Sequence, residues 1–186
     1  MSDRLALYEA TIGAAWNVQG DPGHEAFMSA AVEAFGVALP VAANTVVRGA
    51  GIAAFWLGPR SWLVLPAAGT AMNCDLFGAG RGAIFDVSAS RVAYTLCGND
   101  APSALAKHCP LDFHDTRFPL GTCAQSLFGP VNALYYRHLK MQAFTILVGR
   151  SFARSVEHPL QQSIARYSYR DARADAGAGS QPFVAD

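Results

Sequence analysis

Short apolar segments that end at glycine or proline recur along this chain, and they constrain its fold more than any single motif does. Runs of four to seven residues that are rich in branched and aromatic side chains are typical of strands. The pattern predicts strands at Thr45–Arg48, Ile52–Leu57, Trp62–Leu65, Ala83–Asp86, Arg91–Cys97, Thr122–Leu127, Val131–Arg137 and Ala143–Gly149. Gly49-Ala50-Gly51 predicts a hairpin between the first two of these strands.

Single helices separate these groups of strands. A first helix is predicted over Gly23–Phe35. Asp21 can cap its start, Pro22 fits its first turn, and Gly36 is suited to its end. Further helices are predicted at Ala67–Phe77, Pro102–His108 and Ser151–Tyr167, the last being bent or restarted at Pro159.

The order of these elements predicts the fold class. Runs of adjacent strands broken by single helices favour an α+β fold with antiparallel sheets and packed helices. The similar order in the two halves suggests two ferredoxin-like units, although no repeated sequence accompanies it. We predict one domain over residues 21–170, a lead-in segment over residues 1–20 with a short helix at Leu5–Ile12, and a flexible tail over residues 171–186.

The charge of the chain excludes some classes of partner. Fourteen basic and 14 acidic residues give a net charge of zero, so no strong field attracts nucleic acid or anionic lipid. Hydrophobic residues make up 52% of the chain and charged residues only 15%, against an average of about 25%. This balance favours burial against a protein partner, and an alanine-rich composition is the alternative explanation. Twelve of the 14 basic residues are arginine, which is enriched at protein interfaces.

The sequence predicts a cytoplasmic location. Met1-Ser2-Asp3-Arg4 does not open a signal peptide, and the apolar runs are too short for a membrane span. In that compartment the cysteines are expected as buried thiols; they are Cys74, Cys97, Cys109 and Cys123.

The clusters that could carry chemistry all have the wrong spacing. Gly78–Gly82 reads Gly-x-Gly-x-Gly before a predicted strand, whereas a dinucleotide fingerprint has Gly-x-Gly-x-x-Gly before a helix. His108 and Cys109 are adjacent, so together with His114 and Cys123 they lack the two close pairs of a structural zinc site. No Gly-x-Ser-x-Gly elbow occurs. The sequence therefore predicts no catalytic, cofactor-binding or metal-binding residue in this chain.

Two polar motifs have structural interpretations. Asp86-Val87-Ser88 follows an apolar strand, where it can cap a turn and fix the register of the next strand. Arg150, Arg154 and Arg166 fall on or beside the last predicted helix. They form either a solvated helix face or part of an interface.

Six further segments occur in a family-like order; they are Leu57–Leu63, Phe85–Ser88, Leu96–Gly98, Leu105–Asp112, Phe118–Gln125 and Val148–Ala153. Together they resemble the gamma subunit of heterotetrameric sarcosine oxidase over about residues 24–170. The Leu-Gly-Pro-x-x-Trp and Arg-Ser-Phe-Ala pieces carry most of this resemblance.

The resemblance implies a fold similar to the folate-binding T-protein of the glycine cleavage system. It implies a four-subunit enzyme that demethylates sarcosine, or a related N-methyl amino acid, with formation of hydrogen peroxide and transfer of the one-carbon unit to tetrahydrofolate. FAD, FMN, NAD and tetrahydrofolate would bind to the larger subunits, and zinc to the small delta subunit. The gamma-type subunit would pack on the alpha subunit, in a complex with beta and delta, without catalytic residues. Because the chain is charge-poor, apolar and biased towards arginine, we expect Trp62, Arg150 and Arg154 near the alpha contact, with the core as the alternative for Trp62.

Two other functions remain open at this stage. A stand-alone folate-dependent one-carbon transferase of the T-protein type would be about twice as long, and the family's carboxylate is missing from the segment Leu127–Arg137. The Lys-Gly-Cys-Tyr signature of the related iron–sulfur maintenance proteins is also absent. A homo-oligomeric module that binds a small acid through the arginines near residues 150–170 is the third reading.

Overall fold

The structure, a computed structural model, describes residues 4–49, 51–67, 70, 82–140, 142–168 and 181–182. Its strands are β1 (Ala6–Thr11), β2 (Trp16–Gln19), β3 (Val46–Gly49), β4 (Ile52–Gly58), β5 (Ser61–Pro66), β6 (Ala83–Asp86), β7 (Arg91–Cys97), β8 (Cys123–Phe128), β9 (Val131–Arg137), β10 (Ala143–Gly149) and β11 (Gln181–Pro182). Its helices are α1 (Glu25–Phe35), α2 (Ala101–Leu105) and α3 (Ala153–Ser168), with short 3₁₀ turns at Ser88–Ser90 and Arg150–Phe152.

The chain divides into two compact units. Unit 1 consists mainly of Met1–Thr11 and Ser90–Gln181, and unit 2 mainly of Ile12–Ala89. Unit 1 is therefore built from both ends of the sequence.

Unit 1 contains a six-stranded sheet in the order β11-β1-β7-β10-β9-β8. Neighbouring strands are antiparallel from β1 to β8, and β8, β9 and β10 form the predicted meander. Alternate residues of these strands share one apolar core with α2 and α3, because the side-chain period of a strand is two. Its members include Leu96, Leu105, Tyr135, Phe144, Ile146 and Leu160.

The other face of this sheet is buried as well, and it carries a short polar chain. The Thr95 and Thr145 hydroxyl oxygens lie 2.8 Å apart, and Thr145 Oγ1 lies 2.7 Å from His138 Nε2. Tyr136 contacts the His138 ring at a centroid distance of 4.9 Å. These hydrogen bonds satisfy polar groups that would be costly to bury alone.

Unit 2 contains a five-stranded sheet in the order β3-β4-β5-β2-β6. Helix α1 contributes Phe27, Ala31 and Phe35 to the apolar core of unit 2, as their four-residue spacing predicts. Gly36 ends the helix with a positive φ of 68°, and its N–H donates to the Val32 carbonyl. The β3–β4 pairing confirms the hairpin predicted around Gly49-Ala50-Gly51.

The predicted α+β class with antiparallel sheets is confirmed, and four predicted strands have the bounds of β6, β7, β9 and β10. The prediction of an irregular lead-in with a helix at Leu5–Ile12 is wrong. Residues 6–11 and 16–19 form strands β1 and β2 instead. Both segments are held by pairing with distant strands, β1 with β7 and β2 with β5 and β6, which their own composition does not signal.

Smaller corrections concern the helix ends. His24 rather than Asp21 is the cap of α1; Asp21 accepts from the Gly23 N–H and pairs with Arg60 instead. Helix α2 ends at Leu105, short of the predicted His108. The predicted helix Ala67–Phe77, the loop Gly78–Gly82 and the tail lie wholly or largely outside the described residues.

Candidate functional site

The three residues expected at an interface have different environments. Trp62 is 0% exposed, its indole N–H donates to the Pro40 carbonyl at 2.7 Å, and its ring lies 5.6 Å from that of Phe27. This is the core position that the sequence left open as the alternative. Arg150 and Arg154 are exposed in unit 1, and their interface role stays a prediction.

The Asp86-Val87-Ser88 motif forms a local turn, as predicted. Asp86 Oδ1 accepts hydrogen bonds from the Ser88 backbone N–H at 2.9 Å and from its hydroxyl at 2.5 Å. These bonds lower the pKa of the Asp86 carboxyl. Ser88 Oγ also accepts from the Ala15 N–H, and the Val87 N–H donates to the Ala15 carbonyl. The motif thus ties β6 to the residue just before β2.

The histidines and cysteines near residue 110 have separate environments. Cys109 and Cys123 are buried thiols, whereas His114 is exposed and bonds Thr116 through Nδ1 at 3.0 Å. Within the part of the chain that the structure describes, no three His, Cys, Asp or Glu side chains are grouped as metal ligands. These residues therefore do not fit a zinc ion.

His108 and Ser163 form the pair most like a base and a nucleophile. His108 Nε2 lies 2.9 Å from Ser163 Oγ, and the imidazole stacks on Phe128 with centroids 4.8 Å apart. Burial, then the positive charges of Lys107 and Arg166, lowers the pKa of His108. Ser163 is only 4% exposed, so a substrate cannot reach its hydroxyl. The pair instead connects the segment after α2 to α3.

Arg137 is a buried cation at the end of β9. Its side chain is 1% exposed and donates to the Phe118 carbonyl, to Asp115 Oδ1 and to Gln142 Oε1 at 2.7, 2.7 and 3.2 Å. Arg137 Nε has no hydrogen-bond partner among the described residues. The guanidinium thereby holds the loop before β8 against the sheet.

An exposed cationic and aromatic group occurs where β7 begins and β10 ends. Arg91 pairs with Gly149 across these strands, and the Arg150 guanidinium donates to the Arg91 carbonyl at 2.9 Å. Phe152 is 49% exposed in the 3₁₀ turn that follows, and Arg154 is exposed in the first turn of α3. We call Arg91, Arg150, Phe152 and Arg154 the Arg–Phe corner.

The electrostatics near the Arg–Phe corner are mixed. Burial, with the negative charges of Glu157 and Glu9, raises the pKa of Tyr94 to about 12, while Arg150 acts in the opposite direction. Glu157 Oε1 accepts a hydrogen bond from Gln161 at 2.9 Å. Glu157 and Glu9 are therefore close enough to Tyr94 to act on its hydroxyl, and Glu157 also binds Gln161.

Sequence reasoning identified Arg150 and Arg154 but missed Arg91 and Phe152. Phe152 belongs to the Arg-Ser-Phe-Ala piece, but the 3₁₀ turn places it outside the regular helical period. Arg91 joins the group through strand pairing, which requires the register of β7 with β10.

Comparison with known proteins gives a consistent result. The model of the sarcosine oxidase, gamma subunit family matches residues 19–166. The sarcosine oxidase subunit gamma of Corynebacterium sp. (strain P-1) is 29% identical over 168 residues, which cover 88% of this chain and 82% of that protein. The corresponding subunit of Corynebacterium sp. (strain U-96) is 32% identical over 155 residues, covering 81% and 73%.

Solved structures agree with the sequence relatives. A chain of the heterotetrameric sarcosine oxidase from Corynebacterium sp. U-96, in complex with pyrrole 2-carboxylate, superposes with a TM-score of 0.82 at 27% identity, covering 95% of this chain and 90% of that one. Aminomethyltransferase T of the glycine cleavage system from Bartonella henselae superposes with a TM-score of 0.60 at 16% identity, covering 84% of this chain and 45% of that one. The second match shows a shared fold alone.

Proposed function

Since this chain belongs to the sarcosine oxidase gamma subunit family, we propose that it is the gamma-type subunit of a heterotetrameric oxidase and packs on the alpha subunit. The observation that carries the proposal is coverage: 95% of this chain corresponds to 90% of one chain of a heterotetrameric enzyme. A match of that extent supports a whole-subunit role.

We propose that the chain contributes structure rather than catalysis to the complex. The complex would oxidatively demethylate sarcosine or a related N-methyl amino acid and pass the one-carbon unit to tetrahydrofolate. Hydroxyl and imidazole groups that could act in this chain serve packing instead, as in the Ser163–His108 and Ser88–Asp86 pairs. In the proposed complex, FAD, FMN, NAD and tetrahydrofolate would bind to the larger partner subunits, and zinc would bind to the delta subunit.

A folate-binding transferase is the competing proposal, and the β8–β9 hairpin argues against it. Residues 127–137 contain no acidic side chain, and the exposed polar residue of β9 is Asn132. An amide cannot take up or release a proton as a carboxylate does near neutral pH. The shared fold therefore supplies the scaffold without the acid that the transferase chemistry uses.

Co-purification tests the proposal. The full chain is tagged in its native host, or co-expressed with the neighbouring oxidase genes, and the captured proteins are identified by mass spectrometry. We expect stoichiometric capture of large flavoprotein subunits and sarcosine-dependent formation of hydrogen peroxide by the captured complex.

The same chain purified alone is the control. We expect it to be colourless and without oxidase activity. A flavin spectrum in the isolated chain, or tight binding of tetrahydrofolate measured by calorimetry, would contradict the structural role. Capture without any flavoprotein subunit would contradict membership of the complex.

A further inference from the structure

The Arg–Phe corner contains three arginine residues, at the start of β7 and just after β10 in the unit 1 sheet. Pairing of Arg91 with Gly149 brings the start of β7 beside the residue that precedes Arg150. The hydrogen bond from Arg150 to the Arg91 carbonyl then fixes the direction of the Arg150 side chain. A side chain already held in place loses less conformational entropy when it binds a partner.

The position of Arg154 is unfavourable within the chain itself. The first turn of α3 contains Arg154 and no acidic residue, although the positive end of a helix dipole favours acids. The Arg154 side chain makes no hydrogen bond or ion pair among the residues that the structure describes. Arg91 Nε is hidden from solvent and likewise lacks a hydrogen-bond partner there.

Three other cations of the same unit have internal explanations. Arg166 lies in the last turn of α3, where the helix dipole favours positive charge. Lys107 lies over the Tyr167 ring at 4.2 Å, and Arg137 pairs with Asp115 at 2.7 Å. Arg154 has neither explanation, so its guanidinium is available to an acidic group from outside the chain.

Phe152 adds an apolar element to this charged surface. The residue is 49% exposed, and it lies in sequence between the two exposed arginines. Aromatic residues and arginine are the types most enriched at the centres of protein interfaces. A small anion would use the arginines but not the ring, whereas a polypeptide segment would use both.

We propose that the Arg–Phe corner is the docking surface for an acidic segment of the partner subunit, with carboxylates on Arg150 and Arg154 and an apolar side chain on Phe152. The inference rests on the proposed function, since it names the contact through which the subunit is held. Charge complementarity is its argument: two exposed arginines flank a half-exposed phenylalanine in a chain of zero net charge.

Competitive assembly tests the docking surface. Wild-type and variant full-length chains are co-expressed with the partner subunits, and their ratio in the purified complex is measured by intact-mass spectrometry. We expect Arg154→Glu and Phe152→Ala each to be depleted about tenfold relative to the wild type. Arg117→Glu, a reversal at an exposed arginine elsewhere in unit 1, is the matched control and should be incorporated equally.

The chemistry of the partner is tested by graded changes. Arg154→Gln should be depleted less than Arg154→Glu, because only the reversal repels a carboxylate. When separately purified full-length chains compete in vitro for the partner subunits, depletion of both variants should diminish at about 0.5 M salt, where the Debye length is only a few ångströms. Equal depletion of Gln and Glu variants, with no effect of salt, would overturn the acidic segment.

The outcomes separate the two proposals. If the wild type does not assemble with flavoprotein subunits, the proposed function fails and the docking surface with it. If the wild type assembles and all corner variants are incorporated equally, only the docking surface is wrong. Thermal unfolding of each isolated variant checks that it folds. If a charge variant unfolds at a lower temperature than the wild type, the incorporation of Phe152→Ala relative to the wild type decides the test.

Discussion

At the scale of single residues, the Phe27 ring explains two glycines. It lies in the unit 2 core against Trp62 and passes over the backbone at Gly20 and Gly82. A β-carbon at Gly20 would overlap the ring, and one at Gly82 would lie 2.7 Å from both the ring and the Gln19 carbonyl oxygen. Close approach of a ring to the backbone therefore requires glycine at these positions.

Gly20→Ala is expected to destabilise the chain by about 1–3 kcal/mol, because the buried Phe27 ring must move to admit the methyl group. Gly58→Ala is the matched control, since nothing lies within 4 Å of its β-carbon position. Its free energy of unfolding should change by less than about 0.5 kcal/mol. Urea unfolding midpoints measure both, and equal midpoints for the two variants would contradict the packing argument.

At the scale of elements, helix α3 is joined to its neighbours by side chains that its own pattern does not reveal. Ser163 would be read as a polar position of a solvated face, yet it is buried against His108. His108 in turn stacks on Phe128 at the end of β8. One imidazole thus connects the segment after α2 with α3 and β8, and its protonation state bears on both contacts.

This connection predicts a loss of stability in mild acid. An unfolded histidine takes up a proton near pH 6.5, whereas burial and two cations lower the pKa of folded His108 below that value. The folded state then binds fewer protons, so stability is complete above pH 6.5 and falls as the pH drops through 6.5 towards the folded pKa. His108→Gln, which does not titrate, should show a smaller decrease in urea midpoint between about pH 7 and pH 5.

Ser163→Ala serves as the companion variant. It should lower stability at every pH by about 0.5–1.5 kcal/mol while retaining the pH dependence, because burial is the largest cause of the low pKa. Wild-type and His108→Gln midpoints that run parallel across this range would contradict the assignment.

Short apolar runs bounded by turns could be predicted to the residue, and elements defined by distant partners could not. Val131–Arg137 and Ala143–Gly149 are bounded by glycine or follow a turn and consist largely of buried side chains. Ala6–Thr11 and Trp16–Gln19 are strands only because β7, β5 and β6 supply their hydrogen bonds. The candidate site divides in the same way: Arg150 and Arg154 were visible in the sequence, whereas Arg91 needs a strand register.

At the scale of the whole molecule, unit 2 interrupts unit 1 in sequence. The chain leaves the unit 1 sheet after Thr11 and re-enters it at Arg91. Strand β1 pairs with β7 from Ala6↔Cys97 to Ala10↔Ala93, and the adjoining Leu5 is a member of the unit 1 core. A segment that composition marked as a lead-in is thus an integral strand.

Deleting residues 1–11 is therefore expected to abolish cooperative folding of unit 1, because β7 loses a neighbour and the core loses Leu5. Leu5→Ala, at a side chain 7% exposed, should cost about 2–5 kcal/mol. Thr11→Ala, at an exposed strand end, should change stability by less than about 0.5 kcal/mol. Thermal unfolding followed by circular dichroism measures all three, and an unaltered transition after the deletion would contradict this account.

No described helix is long and apolar enough to cross a membrane.

The pairing of β1 with β7 also sets a timetable for synthesis. Thr11 leaves the ribosome about 80 residues before Arg91, an interval of roughly 4–16 s at 5–20 residues per second. Nearly all of unit 2, Ile12–Ala89, is made within that interval. Unit 2 is therefore synthesised before most of unit 1, although unit 1 contains the first strand of the chain. Strand β1 must wait unpaired while this happens, and the nascent chain is most exposed to misassembly before its second half emerges.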